Sequence, residues 1–310
     1  MYRLRERFLA LFIVFLFIFP SVSFAQDAKI KLAIEPSSPL ELEGWNAWIR
    51  GDNSKSIKSW ERIISENPDA YSSLSYWYLL SDLYEEEGLY RQSLSFIDNI
   101  VDKVKNPTLR ASLYWEKIQD LLKLGDYDSV KDYISRLGLI NEWLVIGPFD
   151  NVGGSGFYKV FPPEEEIDTN KIYTGKNGME VKWFPARTTF GVMKFGNLLY
   201  PTDAVTAYAL TFIYSDSERY AFIRSGSTGA LTIWLNDNKI LSQDLYRSLY
   251  IDQDAVRVRL NKGWNKLLVK VCEDNGLWQF ILRITDENGN NIPSLKYSLE
   301  PKEFKKETEY

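Results

Sequence analysis

The chain has 310 residues, is 45% hydrophobic and 25% charged, and carries a formal net charge of -5, which is the composition of a folded globular protein with room for two ordinary domains. It contains no histidine and one cysteine. That inventory excludes Ser-His-Asp and Cys-His nucleophilic sites, histidine-bearing zinc sites, paired-cysteine redox chemistry and intrachain disulfides, and the acidic balance with scattered basic residues argues against nucleic acid as a partner.

Residues 1–25 have the form of a secretory signal peptide: Arg3, Arg5 and Arg7 precede the apolar run Phe8 to Phe19, Pro20 breaks it, and Ser23-Phe24-Ala25 supplies a small-x-small cleavage site. The run falls short of the ~20 apolar residues of a spanning helix, so no membrane span is expected after cleavage. Cleavage removes three Arg and one Glu and moves the formal charge from -5 to 34 minus 41, or -7. The expected location is exported, periplasmic or extracellular. Residues 26–36 read as a linker.

Between residues 37 and 140 the apolar spacing is helical, and the segment resembles itself. Gly51, Gly88 and Gly125 recur every 37 residues; the same register aligns Leu40, Trp77 and Tyr114, and also Trp60, Ile97 and Ile134. Each Gly falls between two amphipathic runs, where a helix has to stop before the next can pack back on it. About three helical hairpins are predicted, with Trp45, Trp48, Trp60, Trp77 and Trp115 as packing residues.

This order of residues resembles the tetratricopeptide repeat family. Trp77, Gly88, Tyr90, Ser93 and Ile97 follow the family's sequence of early aromatic, turn Gly and Tyr, small residue and large apolar residue in the middle repeat. Gly51, Ser56, Trp60 and Pro68 fit in the first, and Tyr114, Gly125 and Tyr127 in the third, where Val130 replaces the small residue. The resemblance implies a short helical stack whose groove binds a protein or peptide partner.

Residues 141–297 alternate with a period of two, as in the faces Tyr208-Leu210-Phe212-Tyr214, Leu231-Ile233-Leu235 and Trp278-Phe280-Leu282-Ile284, and predict an antiparallel two-sheet sandwich. Asn236-Asp237-Asn238 and Glu287-Asn288-Gly289-Asn290 are the predicted hairpin turns. The run Thr232 to Asn236 followed by Leu260 to Val271 resembles the galactose-binding-domain-like jelly roll, which implies a possible carbohydrate ligand. The fold class is therefore multidomain α and β, tetratricopeptide-like helical hairpins followed by an antiparallel jelly-roll sandwich, with a charged tail over 298–310. Gly263 and Asn265 suit a five-residue loop, Asn261 to Asn265, in which the Trp264 ring folds over the open end of the sandwich. Leu137, Leu139, Ile140, Trp143 and Val145 crowd the junction of the halves, so a rigid interface with Trp143 or Leu139 between them is expected.

No catalytic constellation is recognisable, and the protein reads as not an enzyme. Glu164, Glu165, Glu166, Asp168 and Glu180 are carboxylates of a type a glycosidase could use, but their setting reads as a solvated acidic loop. The Gly-rich loop Asp150 to Tyr158 is the best ligand site: Asp150, Asn151 and Tyr158 supply polar groups and Trp183 a stacking face. No cofactor is called for, although a structural calcium could sit at Asp286-Glu287-Asn288. The leading expectation is a non-catalytic exported interaction or scaffold protein of the cell envelope that binds a protein or peptide. A carbohydrate-binding module and the N-terminal part of a larger exported enzyme, transglutaminase-like or glycoside hydrolase, are the alternatives.

Overall fold

The computed structural model describes residues 38–188 and 190–301. The expected signal peptide and linker, and the tail beyond Pro301, lie outside the described residues. Six helices come first: α1 (Pro39–Arg50), α2 (Asn53–Glu66), α3 (Tyr71–Glu87), α4 (Tyr90–Ile100), α5 (Pro107–Lys123) and α6 (Tyr127–Leu137). Four of them start on a side-chain cap, from Ser38, Asp52, Asn106 and Asp126, whose oxygens accept from backbone N–H groups of the first turn. Among the described residues no helix is long and apolar enough to cross a membrane.

The three glycines spaced at 37 residues close α1, α3 and α5 in one way. Gly51, Gly88 and Gly125 have φ of 79°, 67° and 79°, and the next residue's N–H returns to a carbonyl of the last turn, Asp52 to Ala47, Leu89 to Tyr84 and Asp126 to Leu121. A left-handed residue satisfies the orphan carbonyls and reverses the chain. Trp60 and Trp77 are fully buried, with Trp77 Nε1 donating to Ser112 Oγ at 3.0 Å; Trp45 and Trp48 pack half-buried beside them.

The strands follow: β1 (Glu142–Asp150), β2 (Tyr173–Thr174), β3 (Glu180–Val181), β4 (Phe184–Arg187), β5 (Val192–Lys194), β6 (Val205–Ser215), β7 (Arg219–Ser227), β8 (Ala230–Leu235), β9 (Asn238–Gln243), β10 (Asp254–Leu260), β11 (Gly263–Glu273), β12 (Gln279–Thr285) and β13 (Lys296–Ser298). One sheet runs β4-β1-β6-β11-β8-β9 with β13 also on β6; the other runs β10-β7-β12-β5. All pairings are antiparallel. Trp143, Val269, Ile233, Phe280 and Ile284 belong to the core between the sheets.

The larger sheet is buried on both faces. Ile146, Phe149, Tyr208, Leu210 and Leu268 point outward from it, into a second core closed by Phe161, Tyr173, Val181 and Trp183. Residues 151–183 are thus a cover and not a free crossover. Two lysines fasten it. Lys270, buried on β11, donates to the carbonyls of Phe157 (3.2 Å) and Lys159 (2.7 Å) and to Glu164 Oε1 (2.7 Å); Lys176 donates to Asp150 Oδ1 at 3.1 Å and to the Ala204 carbonyl. Glu164 also accepts from Tyr208 Oη, so this carboxylate is an anchor of the cover and not part of a solvated loop.

Trp264 does not fold over the sandwich end. The turn is only Asn261-Lys262, and Trp264 already lies in β11, opposite Tyr214. Its ring is half-buried on the outer face, 5.4 Å from that of Tyr214. The reason is Asn265, which ties off the turn by donating to Asn261 O and accepting from Asn261 N at 2.9 and 2.8 Å. Asn236 and Asp237 take φ of 50° and 68° in the β8–β9 turn, as predicted.

The helices sit against the smaller sheet. Ala111, Ile118, Leu121, Val130, Leu137 and Leu139 share one core with Ile251 and Ile281. Ile140 N donates to the Leu282 carbonyl at 3.0 Å, and the Tyr78 ring packs tilted against that of Tyr250 with centroids 4.4 Å apart. Leu139 is buried between the halves as expected; Trp143 instead packs inside the sandwich, 5.2 Å from Phe280.

Candidate functional site

A cleft of about 840 Å³ opens at the sandwich end where β1, β9 and β11 finish. Three loops wall it: the Gly-rich loop after β1, the stretch 244–249 after β9 and the stretch 273–277 after β11. Gly153 and Gly154 form the edge of the first, with φ of 63° and 74°, a conformation that side chains with a Cβ rarely adopt. Gly156 presses that loop on the sheet, since a Cβ there would stand 2.5 Å from the Asp150 carbonyl and from Thr206 Oγ1.

Glu273 forms the floor. The residue is 3% exposed, and its carboxyl accepts from Asp274 N at 3.0 Å and from Thr228 Oγ1 at 3.4 Å. Burial pushes it up to about 7, with the neighbouring Asp274 charge acting in the same direction and those hydrogen bonds opposing. Arg247 reaches across the second loop to Asp254 and donates its backbone N–H to the Thr228 carbonyl at 2.8 Å. Tyr246 and Leu277 line the cleft with much of their side chains in water.

The residues expected to bind ligand fare differently. Asn151 is fully buried beneath the cleft, donating to the Glu273 carbonyl at 3.0 Å and to Tyr246 Oη at 3.3 Å. It joins the first loop to the other two. Tyr158 is exposed and donates to Asp244 Oδ2 at 2.7 Å, and that carboxylate raises the phenol above its ordinary value. Asp150 is engaged with Lys176. Trp183 offers no stacking face: it is 6% exposed in the outer core, because the cover brings it down on the sheet. Thr228, Asp244, Tyr246, Arg247 and Glu273 were not singled out from the sequence. Their one signal was the cluster of polar residues in strand-end positions, Ser242 to Ser248 and Glu273 to Asn275.

No family model and no curated protein matches the chain. Among solved structures, a β-glucosidase from Kluyveromyces marxianus is 11% identical with a TM-score of 0.31, covering 46% of this chain and 16% of its own. A glycosyl hydrolase family 2 member from Bacteroides cellulosilyticus is 12% identical at 0.32, covering 48% and 20%. The PA14 domain of the MpAFP antifreeze protein is 12% identical at 0.27, covering 49% and 67%. Agreement at this level assigns the chain neither family nor activity.

Chemically, the cleft offers acceptors at Asp244, Glu273, Asp274 and Gln279, donors at Arg247 and Ser248, and apolar faces at Tyr246 and Leu277. Among the described residues no group of three Asp, Glu or Cys gathers to hold a metal ion. At the β12 turn the Asp286 carboxylate accepts from Asn290 N at 2.8 Å and Nδ2 at 3.1 Å, so an Asn-Gly hairpin accounts for the residues weighed for calcium.

Proposed function

We propose that the protein is a non-catalytic binding module of the cell exterior whose end cleft takes an uncharged polyhydroxylated ligand, a short stretch of carbohydrate chain. The observation that carries the reading is the pairing of a carboxyl floor, the largely buried Glu273, with two water-exposed apolar side chains, Tyr246 and Leu277, at the same opening. Sugars present hydroxyls along their edges and C–H groups on their faces, and a site of acceptors beside an aromatic and an aliphatic surface meets both. Fold does not imply function, so the argument rests on these groups. On this reading the sandwich is a galactose-binding-like jelly roll, and the helices are a degenerate tetratricopeptide-like stack, a view supported by the three identical glycine closures. Export follows from the signal-like residues 1–25.

The test is a glycan array followed by calorimetry on the whole chain. Tyr246→Ala and Glu273→Gln are expected to weaken the best oligosaccharide about tenfold or more, with Trp264→Ala unchanged. Loss in Trp264→Ala with Tyr246→Ala intact would move the site to the outer sheet face, and absence of any glycan binding by folded protein would reject the reading.

A further inference from the structure

The mouth of the end cleft carries an apolar tip on each of its three loops. Leu277, on the loop after β11, is 71% exposed, and Val152, just before Gly153 on the first loop, is 62% exposed; among the described residues no other aliphatic side chain stands so far into water. Leu245, between the lining residues Asp244 and Tyr246, is exposed as well. Single aliphatic side chains scattered over a surface need no explanation, but three at one opening rimmed by polar groups mark a place where water is to be displaced.

The tips are held in place. Asn151 Nδ2 donates to the Glu273 carbonyl at 3.0 Å and to Tyr246 Oη at 3.3 Å, which joins the first loop to the other two, and Arg247 N donates to the Thr228 carbonyl at 2.8 Å. A preformed rim loses little freedom when it is covered.

Charge narrows the occupant. Arg247 is the one cation among the described residues that line the cleft, and Asp254 meets its guanidinium; Asp244, Glu273 and Asp274 are the acids. A phosphate or sulfate headgroup would find no unpaired cation there and would be repelled by the carboxylates. The match is a neutral head that hydrogen-bonds to acceptors, joined to a hydrocarbon part that covers the tips.

We propose that the end cleft takes a neutral glycolipid, its sugar head among the acceptors of the floor and its hydrocarbon chain leaving across Val152, Leu245 and Leu277. The inference rests on the carbohydrate reading of the cleft and adds the apolar substituent to it, since a free oligosaccharide held at the floor would leave Val152 and Leu245 in water.

The experiment is calorimetry on the whole chain with three probes kept below their micelle concentrations: the methyl and the octyl glycoside of the best oligosaccharide from the glycan array, and octyl phosphocholine, which has the chain without the sugar. The octyl glycoside is expected to bind about tenfold more tightly than the methyl glycoside, and octyl phosphocholine far more weakly than the octyl glycoside. Val152→Ser combined with Leu245→Ser is expected to remove the octyl gain and to leave the methyl glycoside unchanged, which also verifies the fold; each single serine variant, expected to keep part of the gain, is the second measurement should the pair not fold. Equal affinity for the two glycosides, or a gain that survives in the serine pair, overturns the inference and leaves the carbohydrate reading standing. Octyl phosphocholine bound as tightly as the octyl glycoside also overturns it and marks a simple apolar patch. Absence of any glycan binding overturns the reading and the inference together.

Discussion

Arg283 and Asp252 meet through two hydrogen bonds, Nε to Oδ1 at 2.7 Å and Nη2 to Oδ2 at 2.6 Å, with both side chains shut off from water. Arg283 Nη1 also donates to the carbonyls of Leu137 and Gly289 at 3.1 and 3.0 Å. One guanidinium therefore ties the end of α6, the β12 turn and the loop before β10 together. Asp252→Asn keeps the shape and the left-handed backbone, φ 57°, and removes the charge. Leaving Arg283 buried without its counter-ion is expected to cost about 3 to 5 kcal/mol, read by urea denaturation.

Glu164 offers a parallel test on the outer face. Lys270 is 1% exposed at the side chain, and Glu164→Gln leaves its ammonium with two carbonyls and an amide oxygen. A loss of about 2 to 4 kcal/mol is expected, together with faster proteolytic cleavage within residues 155–166. Unchanged cleavage would show that the outer core holds the cover without the ion pair.

Helix α5 sets a pH dependence. Burial pushes Glu116 up to about 8, with the charge of Asp120 adding to it, and burial pushes Asp120 up to about 6. Unfolded, both ionise near the ordinary ~4, so between about pH 4 and 8 the folded state holds protons that the unfolded state has released. Stability contributed by these neutral acids is complete below that window and is lost as pH rises through it, at no more than ~1.4 kcal/mol per pH unit for each proton. Glu116→Gln is expected to flatten the decline in denaturation measured at pH 5, 6.5 and 8. A steeper decline in the variant would refute it.

Gly88 tests the helix closures in isolation. A Cβ there meets nothing within 4 Å, so Gly88→Ala carries only the strain of φ 67°. The expected loss is about 1 kcal/mol, with no change in near-ultraviolet circular dichroism.

The shared core at Leu139, Ile251 and Ile281 implies that the halves unfold together. Calorimetry is expected to show one transition, and limited proteolysis to spare residues 136–142. Two resolved transitions would show the halves to be merely tethered.

Much of this architecture was legible because it is periodic. The spacing of Gly51, Gly88 and Gly125 placed three helix ends, and Leu231-Ile233-Leu235 and Trp278 to Ile284 named the inward face of their strands. The face Tyr208-Leu210-Phe212 was equally regular but looks outward, because alternation cannot say which side is the interior when both are covered. Val205, Ala207 and Ala209 on the same strand, small and apolar, were the sign of the second buried side. The end cleft was half legible: Gly153 and Gly154 announce a loop that must turn sharply, whereas Glu273 and Tyr246 are brought together by strand pairing far apart in sequence, which no local pattern records.

The covering of β6 on both faces has a further consequence during synthesis. Its eleven residues, Val205–Ser215, carry no charge and no proline, and its neighbours β11 and β13 are made later. The helices close through neighbours already emerged, but β6 waits with an open edge. A chain that stops between β6 and β11 would present a segment with the composition of an aggregating strand, so polypeptides ended near residue 250 are expected to precipitate while those ended near residue 140 stay dispersed.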